Sequence, residues 1–242
     1  MKERELERLK AQGIDITGFS DEQLKEILKG IRFKLPKEQI QVYAKPEFNA
    51  SQMIIIRHGF QYGLTLEQVW TYANPCFNWE QMYAIYRGFQ YKLSMEMVRS
   101  YADPCFDADQ MFQIREGFLR GLTLERINIY ANPRFNRHQM NQIQNGFLRG
   151  LTIDQVLIYA KADFNWEQMH EIREGFIHGL DKEQILVYAK PCFDDKQMYE
   201  IREGFTHDLT MYQVLTYSKP DLNWEQMHEI REGLIECSQS ID

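Results

Sequence analysis

The chain repeats one sequence pattern every 29 residues, from Phe19 to its end and without insertions. Tyrosine occupies one register in seven successive repeats: Tyr43, Tyr72, Tyr101, Tyr130, Tyr159, Tyr188 and Tyr217. Glycine occupies another register in eight: Gly30, Gly59, Gly88, Gly117, Gly146, Gly175, Gly204 and Gly233. A fixed period of this length is typical of a solenoid, in which each repeat buries its apolar face only against its neighbours.

Each repeat carries start and stop signals for two helices. In residues 77–105, Asn78 is the expected N-cap of a first helix, and Gln81 completes a capping box. A second helix is expected to begin after Ser94 and to end before Pro104. The same Gln recurs in every repeat, and capping explains its invariance. Each repeat is therefore predicted to be a helical hairpin.

We predict an all-α fold, an α-solenoid of 29-residue helical-hairpin repeats. Residues 20–222 form seven full units, residues 223–242 a C-terminal half repeat and tail, and residues 1–19 an N-terminal cap. The cap is expected to differ from the repeat because the outer face of a terminal unit meets water.

Glycine recurs at two positions of the repeat, one after the first helix and one inside it. Gly63, Gly121, Gly150 and Gly179 follow the first helix, where a left-handed residue commonly ends a helix. The eight recurring glycines lie inside that helix, at a cost of ~0.5–1 kcal/mol each relative to Ala. We expect close approach of the second helix to require them.

Charge and composition limit the classes of function. Residues 1–121 hold 16 basic and 16 acidic side chains and residues 122–242 hold 12 and 19, so the formal charge of −7 lies in the second half. This balance disfavours a protein that follows nucleic-acid phosphates along its full length. No apolar run is long enough to span a bilayer, and the charged N-terminus does not resemble a signal peptide. A cytoplasmic protein with free cysteines is the expectation.

Function is expected where the repeats differ on one exposed stripe of the first helices. This stripe is predicted at the first, fifth, eighth and twelfth helical positions, which are rich in side chains common in binding hot spots. The candidate partner-binding residues are Trp79, Tyr83, Arg115, Trp166, His170, Arg173, Tyr199, Arg202, Trp224, His228 and Arg231.

Two structural interpretations of the stripe stay open at this point. The large side chains can fill the contact between adjacent first helices, and the Arg series can pair with neighbouring carboxylates or carbonyls. Tyr86 and Gln144 interrupt the Arg series, which indicates that the scaffold does not need it. A second row, including Glu171, Glu174, Glu200 and Glu203, is expected to be a solvated face, a surface for a basic partner, or a mimic of a phosphate backbone.

No catalytic or metal-binding motif is visible. The six histidines show no metal-ligand spacing, and no phosphate-binding loop, catalytic triad order or CxxC pair occurs. We therefore predict a protein that is not an enzyme and has no metal or other cofactor.

The phrase Tyr-Ala-x-Pro-x-Phe-Asn-Trp-x-Gln-Met-x-x-Ile-Arg-x-Gly resembles helical repeats in a poorly characterised group of proteins of gut Firmicutes, their phages and mobile elements. The match is seen at residues 72–88, with Tyr86 in place of the Arg, and, without Pro, at residues 159–175. The resemblance covers roughly residues 43–235 and implies a phage or mobile-element context. It implies no activity and no functional residue.

The predicted function is binding of a macromolecular partner, most specifically binding and blocking of a protein such as a host defence factor. The alternatives are a nucleic-acid-binding helical-repeat protein, which the charge balance disfavours, and capture of a small anionic ligand on an Arg and aromatic face. No membrane partner is expected.

Overall fold

The computed structural model describes Glu7, Gly13 and residues 17–239; for residues 238 and 239 it describes the backbone alone. These residues form fifteen helices and no β-strand. The predicted N-terminal cap, residues 1–19, lies almost wholly outside the described residues. The chain divides into two compact units, Met1–Leu119 and Arg120–Asp242, here called unit 1 and unit 2.

First and second helices alternate along the chain. The first helices are α1 (Asp21–Arg32), α3 (Ala50–Gln61), α5 (Trp79–Gln90), α7 (Ala108–Leu119), α9 (Arg137–Leu148), α11 (Trp166–Ile177), α13 (Asp195–Thr206) and α15 (Trp224–Gln239). The second helices are α2 (Lys37–Tyr43), α4 (Leu66–Trp70), α6 (Met95–Arg99), α8 (Leu124–Tyr130), α10 (Ile153–Tyr159), α12 (Lys182–Tyr188) and α14 (Met211–Tyr217).

Within each unit the hairpins stack as the repeat predicts. Each first helix packs on the first helix of the next hairpin, as in α3 on α5 and α11 on α13. In unit 2 the second helices α10, α12 and α14 each pack between the first helices on either side of them in sequence, as α10 does between α9 and α11. The predicted all-α solenoid of helical hairpins is confirmed.

The helix ends follow the sequence signals. Asn78 accepts the Gln81 backbone N–H at 2.8 Å, and the Gln81 side chain accepts the Asn78 N–H at 2.8 Å. The four glycines predicted to end first helices are left-handed, as at Gly150 (φ +90°), and the same register is left-handed without glycine at Lys34, Lys92 and Asp208. Two second helices, α4 and α6, end earlier than predicted, and the Tyr72 and Tyr101 backbone N–H groups that follow them bond to the carbonyls three residues back.

The invariant Gln has a further role that capping does not explain. In unit 1 the Gln81 side-chain amide donates to the Phe106 carbonyl of the next repeat at 2.6 Å. In unit 2 Gln139 and Gln168 donate likewise to Phe164 and Phe193, again at 2.6 Å. A Glu would complete the capping box but could not donate this bond. The amide thus joins neighbouring repeats, which accounts for Gln rather than Glu.

The interior glycines are required by the invariant tyrosines. A Cβ on Gly146 would lie 1.9 Å from the Tyr159 hydroxyl oxygen and 3.2 Å from its ring carbon Cζ. Gly59 meets Tyr72 and Gly175 meets Tyr188 at the same 1.9 Å. The seven recurring tyrosines are all fully buried. The expected close approach of the second helix is therefore confirmed, and the contacting group is the tyrosine hydroxyl.

Burial of these seven tyrosines predicts a steep loss of stability at alkaline pH. Burial raises the pKa of each phenol well above its ordinary value of about 10. Because the folded-state pKa is raised, the stabilisation is fully present below about pH 10 and is lost as the pH rises further.

The measurement is tyrosinate absorbance followed together with helical circular dichroism. The seven core tyrosines should ionise only as helicity is lost. A single step in which all phenols ionise near pH 10 with helicity intact would contradict this account.

Candidate partner-binding surfaces

Positions on the first helices are numbered here from the first helical residue, so that Trp79 is position 1 of α5 and Tyr91, its C-cap, is position 13. Position 8, which carries the Arg series, is buried throughout. Arg57, Arg115, Arg173, Arg202 and Arg231 are each at most 7% exposed. The expectation that this series lies on an exposed stripe is therefore wrong.

The buried arginines bind position 6 of the preceding first helix, 31 residues earlier. Arg57 Nη2 lies 2.9 Å from Glu26 Oε2, and Arg231 Nε lies 2.8 Å from Glu200 Oε2. In the same geometry Arg202 Nε meets Glu171 at 3.1 Å. Where position 6 is uncharged the contact persists, since Arg173 donates to Gln142 and Arg115 to the Ala84 carbonyl. Each arginine therefore fastens one repeat to the one before it.

Tyr86 replaces the Arg of position 8, and its surroundings differ from those of the arginines in ways that compensate for the lost guanidinium. The residue 31 earlier is Ile55, so no carboxylate is left without a partner. Tyr86 is buried, accepts a hydrogen bond from the Gln90 amide at 2.5 Å, and packs against Tyr62 and Tyr72 with ring centroids 6.0 and 6.4 Å apart. The interpretation that the scaffold does not need the Arg series therefore does not hold.

The acidic row is only partly exposed, and several of its members pair with arginines, so it is not the continuous solvated face expected from sequence. Glu200 is buried against Arg231, and Glu171 is half-buried against Arg202. Burial raises the pKa of Glu171 despite the neighbouring Arg202 charge. Burial acts in the same direction on Glu174, but Arg173 and Arg149 outweigh it and lower the pKa of that carboxyl. These ion pairs neutralise much of the row, which disfavours the interpretation as a mimic of a phosphate backbone.

The exposed, variable stripe runs through positions 1, 5, 9 and 13. On α5 it reads Trp79, Tyr83, Arg87 and Tyr91, and on α11 it reads Trp166, His170, Glu174 and His178. Position 13 is exposed in every repeat and changes from aromatic in unit 1 to cationic or imidazole in unit 2: Phe33, Tyr62, Tyr91, Arg120, Arg149, His178 and His207. This register shows the clearest change of chemistry along the chain.

An aromatic groove of about 460 Å³ lies between α5 and α7 in unit 1. Four aromatic side chains line it, and each remains 42–46% exposed: Trp79, Tyr83, Tyr91 and Phe112. Arg87 lies over the Tyr83 and Tyr91 rings, and Arg115 over the Tyr91 and Phe112 rings, at 4.7–5.9 Å from the ring centroids. The guanidiniums order the rings, whose remaining surface is free to contact a ligand.

Carboxylates border the aromatic groove. Glu80, Asp109 and Glu116 line it, and an adjoining depression is formed by Glu80, Asp107, Asp109 and two small neighbours. Asp107 also caps α7 by accepting the Gln110 backbone N–H. The aromatic floor and acidic border together match a segment that carries both apolar and basic side chains.

Unit 2 holds a wider cationic pocket of about 640 Å³. Arg120, Arg149, His170 and His178 line it together with the predicted residues Arg173 and Arg202. Its two carboxylates bind the pocket's own guanidiniums: Glu174 accepts from Arg149 at 3.0 Å and from Arg173, and Glu203 lies 2.9 Å from Arg202. His178 donates Nδ1–H to the Glu174 carbonyl at 2.8 Å, so its Nε2 is the nitrogen left for a ligand.

The predicted partner-binding residues therefore do not form one surface, and they lie at several separate sites. Trp79, Tyr83 and Arg115 meet at the aromatic groove, and His170, Arg173 and Arg202 meet at the cationic pocket. Tyr199 and Trp224 border a smaller cleft in unit 2, where the Lys196 ammonium lies 5.0 Å from the Trp224 ring centroid. Trp166 is exposed beside His138, and His228 and Arg231 both contact Glu200.

Sequence reasoning missed Tyr91 and Arg87, and it placed Phe112 on the predicted stripe without including it among the candidate residues. These three side chains complete the aromatic groove. Helical periodicity alone places positions 8 and 12 on the stripe, but the preceding first helix covers position 8. The change of chemistry at position 13 is visible in the sequence and could have identified both the groove and the cationic pocket.

Comparison with known protein families, characterised proteins and solved structures finds no match to this chain. Among the described residues, no cluster of three or more His, Cys, Asp or Glu side chains could hold a metal ion. None of the described helices combines the length and apolar character needed to cross a bilayer. The four cysteines are free and exposed.

Proposed function

We propose that this solenoid binds a segment of a partner protein in the aromatic groove between α5 and α7. The observation that supports this most directly is the set of four half-exposed aromatic rings around one concave surface. Exposed apolar surface concentrated in this way commonly marks an interaction site. Covering one such ring is worth about 2 kcal/mol by area, and the sum over several rings must also offset the entropic cost of association.

The partner segment is proposed to carry a bulky apolar side chain next to Lys or Arg. The apolar group would cover Trp79 and Phe112, and the cation would meet Glu80 and Asp109 at the border. This chemistry favours a protein over a nucleic acid, whose phosphates the border carboxylates would repel. Binding, not catalysis, is the proposed activity. The narrower prediction of a phage or mobile-element inhibitor of a host defence factor depends on the sequence resemblance alone and stays a prediction.

Capture of a small anion in the cationic pocket is the weaker candidate. Its two carboxylates already bind three of the four lining arginines, which leaves Arg120 without an ion pair among the described residues. The pocket also lies at the C-terminal end of α9, where the helix dipole favours cations and disfavours anions. Helix capping is therefore the simpler account of these basic residues.

Selection from a random peptide library tests the proposed function. Selected peptides should combine Lys or Arg with Leu, Phe or Trp, and their affinity can be measured by fluorescence anisotropy. We expect Trp79→Ala with Phe112→Ala to raise Kd by at least about thirtyfold, the effect of losing a hot spot of ~2 kcal/mol.

Trp70→Ala is the matched control, since Trp70 is an exposed tryptophan of unit 1 that does not line the aromatic groove. It should leave Kd unchanged. Peptide affinity that survives loss of both groove residues would overturn the proposal. Binding of a labelled DNA duplex that weakens steeply with added salt would favour the nucleic-acid alternative instead.

A further inference from the structure

The last three second helices of unit 2 present a row of exposed leucines at one register. Leu157, Leu186 and Leu215 occupy the fifth position of α10, α12 and α14, and they are 45–51% exposed. On α8 the same position carries Asn128, which is also exposed and marks the end of the row. Three successive helices that repeat this feature form a continuous apolar row, here called the leucine row, unlike the isolated apolar residues common on protein surfaces.

A row of carboxylates runs beside it. Glu125, Asp154 and Glu183 occupy the second position of α8, α10 and α12, and all three are exposed. None of the three forms an ion pair within the described part of the chain. Carboxylates are favourable in the first turn of any helix, so their presence alone indicates no ligand. Their alignment beside the leucine row gives this face both an apolar and an anionic component.

Unit 1 shows how a cation uses these two rows. At the register of the leucine row, α6 carries Arg99, and its Nη2 lies 3.1 Å from Glu67 Oε1 of the preceding second helix. Glu67 is the unit 1 equivalent of Glu125 and Asp154. A guanidinium placed at the leucine row therefore reaches the carboxylate row of the preceding repeat. In unit 2 no such cation occupies the register of the leucine row, although Lys182 precedes Glu183 on α12.

The two rows match one another repeat by repeat. Each leucine follows, by one repeat, a second helix that carries a carboxylate: Leu157 follows Glu125, Leu186 follows Asp154, and Leu215 follows Glu183. This is the step that separates Arg99 from Glu67, so each leucine has a carboxylate within reach of a cation placed beside it. An occupant must therefore supply apolar and basic groups at the same spacing.

We infer that the second-helix face of unit 2 docks a Lys- and Arg-rich amphipathic helix of a partner protein. Its apolar stripe would cover the leucine row, and its basic flank would pair with the carboxylate row. Successive repeats stack through their first helices, and packed helices lie ~8–10 Å apart. This distance between repeats is close to the ~10.5 Å rise of seven helical residues. Apolar residues spaced by one heptad would therefore meet successive second helices, and three of them need a helix of roughly 15–20 residues.

This site is separate from the aromatic groove and does not depend on the proposed function. The test uses two labelled synthetic peptides of identical Leu and Lys composition. One places Leu at heptad spacing on one helical face, and the other has the same residues scrambled. Fluorescence anisotropy should show that the amphipathic peptide binds the full chain and that the scrambled peptide binds at least about tenfold more weakly.

Substitutions in the leucine row and the carboxylate row test whether the amphipathic peptide binds at the second-helix face of unit 2. Leu157→Asn with Leu186→Asn copies the residue that α8 carries at this register, and it should weaken binding of the amphipathic peptide by at least about tenfold. Leu148→Asn is the control that should not change binding, because Leu148 is also exposed and aliphatic but lies on first helix α9. Asp154→Lys with Glu183→Lys should weaken binding and reduce its dependence on salt. Helical circular dichroism verifies that every variant is folded.

Three results would overturn the inference. The first is equal binding of the amphipathic and scrambled peptides, which would indicate charge attraction alone. The second is unchanged binding by the Leu157→Asn, Leu186→Asn variant. The third is sedimentation of the protein alone as a dimer that the same variant dissociates, because the occupant would then be a second copy of this chain. A Trp79→Ala, Phe112→Ala variant that keeps this binding separates the outcome from that of the aromatic groove.

Discussion

Replacing Arg57 with Gln should lower the free energy of unfolding by about 3–5 kcal/mol, because it leaves the buried Glu26 carboxylate without its guanidinium. Both side chains are at most 7% exposed, and Lys29 is the remaining cation within reach of Glu26. Chemical denaturation followed by circular dichroism measures the change. A loss below about 1 kcal/mol would show that the pair behaves like an exposed ion pair and does not fasten the repeats.

A paired exchange is the control for this prediction. Glu26→Ile together with Arg57→Tyr copies the natural combination of Ile55 and Tyr86 one repeat later. Its surroundings are present, since Gln61 matches Gln90, and Phe33 and Tyr43 match the aromatic neighbours Tyr62 and Tyr72. We expect the double variant to recover most of the stability that Arg57→Gln loses. If the double variant is as unstable as Arg57→Gln, the two positions are not coupled as described.

Gly146→Ala should destabilise the fold by roughly 1–3 kcal/mol, although Ala is the better helix former by ~0.5–1 kcal/mol. The added Cβ would lie 1.9 Å from the Tyr159 hydroxyl, in a fully buried site. Gly233 is the matched control, because it has the same register but no following tyrosine, and its Cβ would meet nothing within 4 Å. Gly233→Ala should leave stability unchanged or raise it slightly.

Removing the hydroxyl tests whether this contact is the cause. In the Gly146→Ala, Tyr159→Phe variant only the 3.2 Å contact with Cζ remains, so part of the lost stability should return. Thermal melting of the single and double variants gives the coupling energy between the two positions. Additive effects of Gly146→Ala and Tyr159→Phe would contradict the close-approach account.

The repeat made the fold predictable, because every helix boundary is encoded several times. Asn78 and Gln81 define one helix start, and the same pair of types defines the others. The left-handed backbone of Lys92 was predictable as well, because Gly150 and the equivalent glycines indicate that this register adopts a positive φ. Residues 1–16 carry no such repetition, and apart from Glu7 and Gly13 they lie outside the described residues.

The candidate surface was less predictable because helical periodicity cannot tell which neighbour covers a given side. Position 8 lies beside the core, and only the stacking of first helices decides that Arg173 is buried while Glu174 remains half-exposed. The sequence does carry a signal for this burial, but at a spacing of 31 residues, which is longer than one 29-residue repeat. Comparing residues 31 apart pairs Glu26 with Arg57 and Ile55 with Tyr86, which identifies an internal contact from sequence alone.

The pairing of position 6 with position 8 also determines which repeats the array can gain or lose. Removing residues 165–193 would bring Arg202 opposite Gln142, a partner that Arg173 already accepts. Removing residues 49–77 would instead bring Tyr86 opposite Glu26 and leave that buried carboxylate without a guanidinium partner. Loss of residues 165–193 is therefore expected to cost little stability at this contact, whereas loss of residues 49–77 would remove the partner of a buried carboxylate.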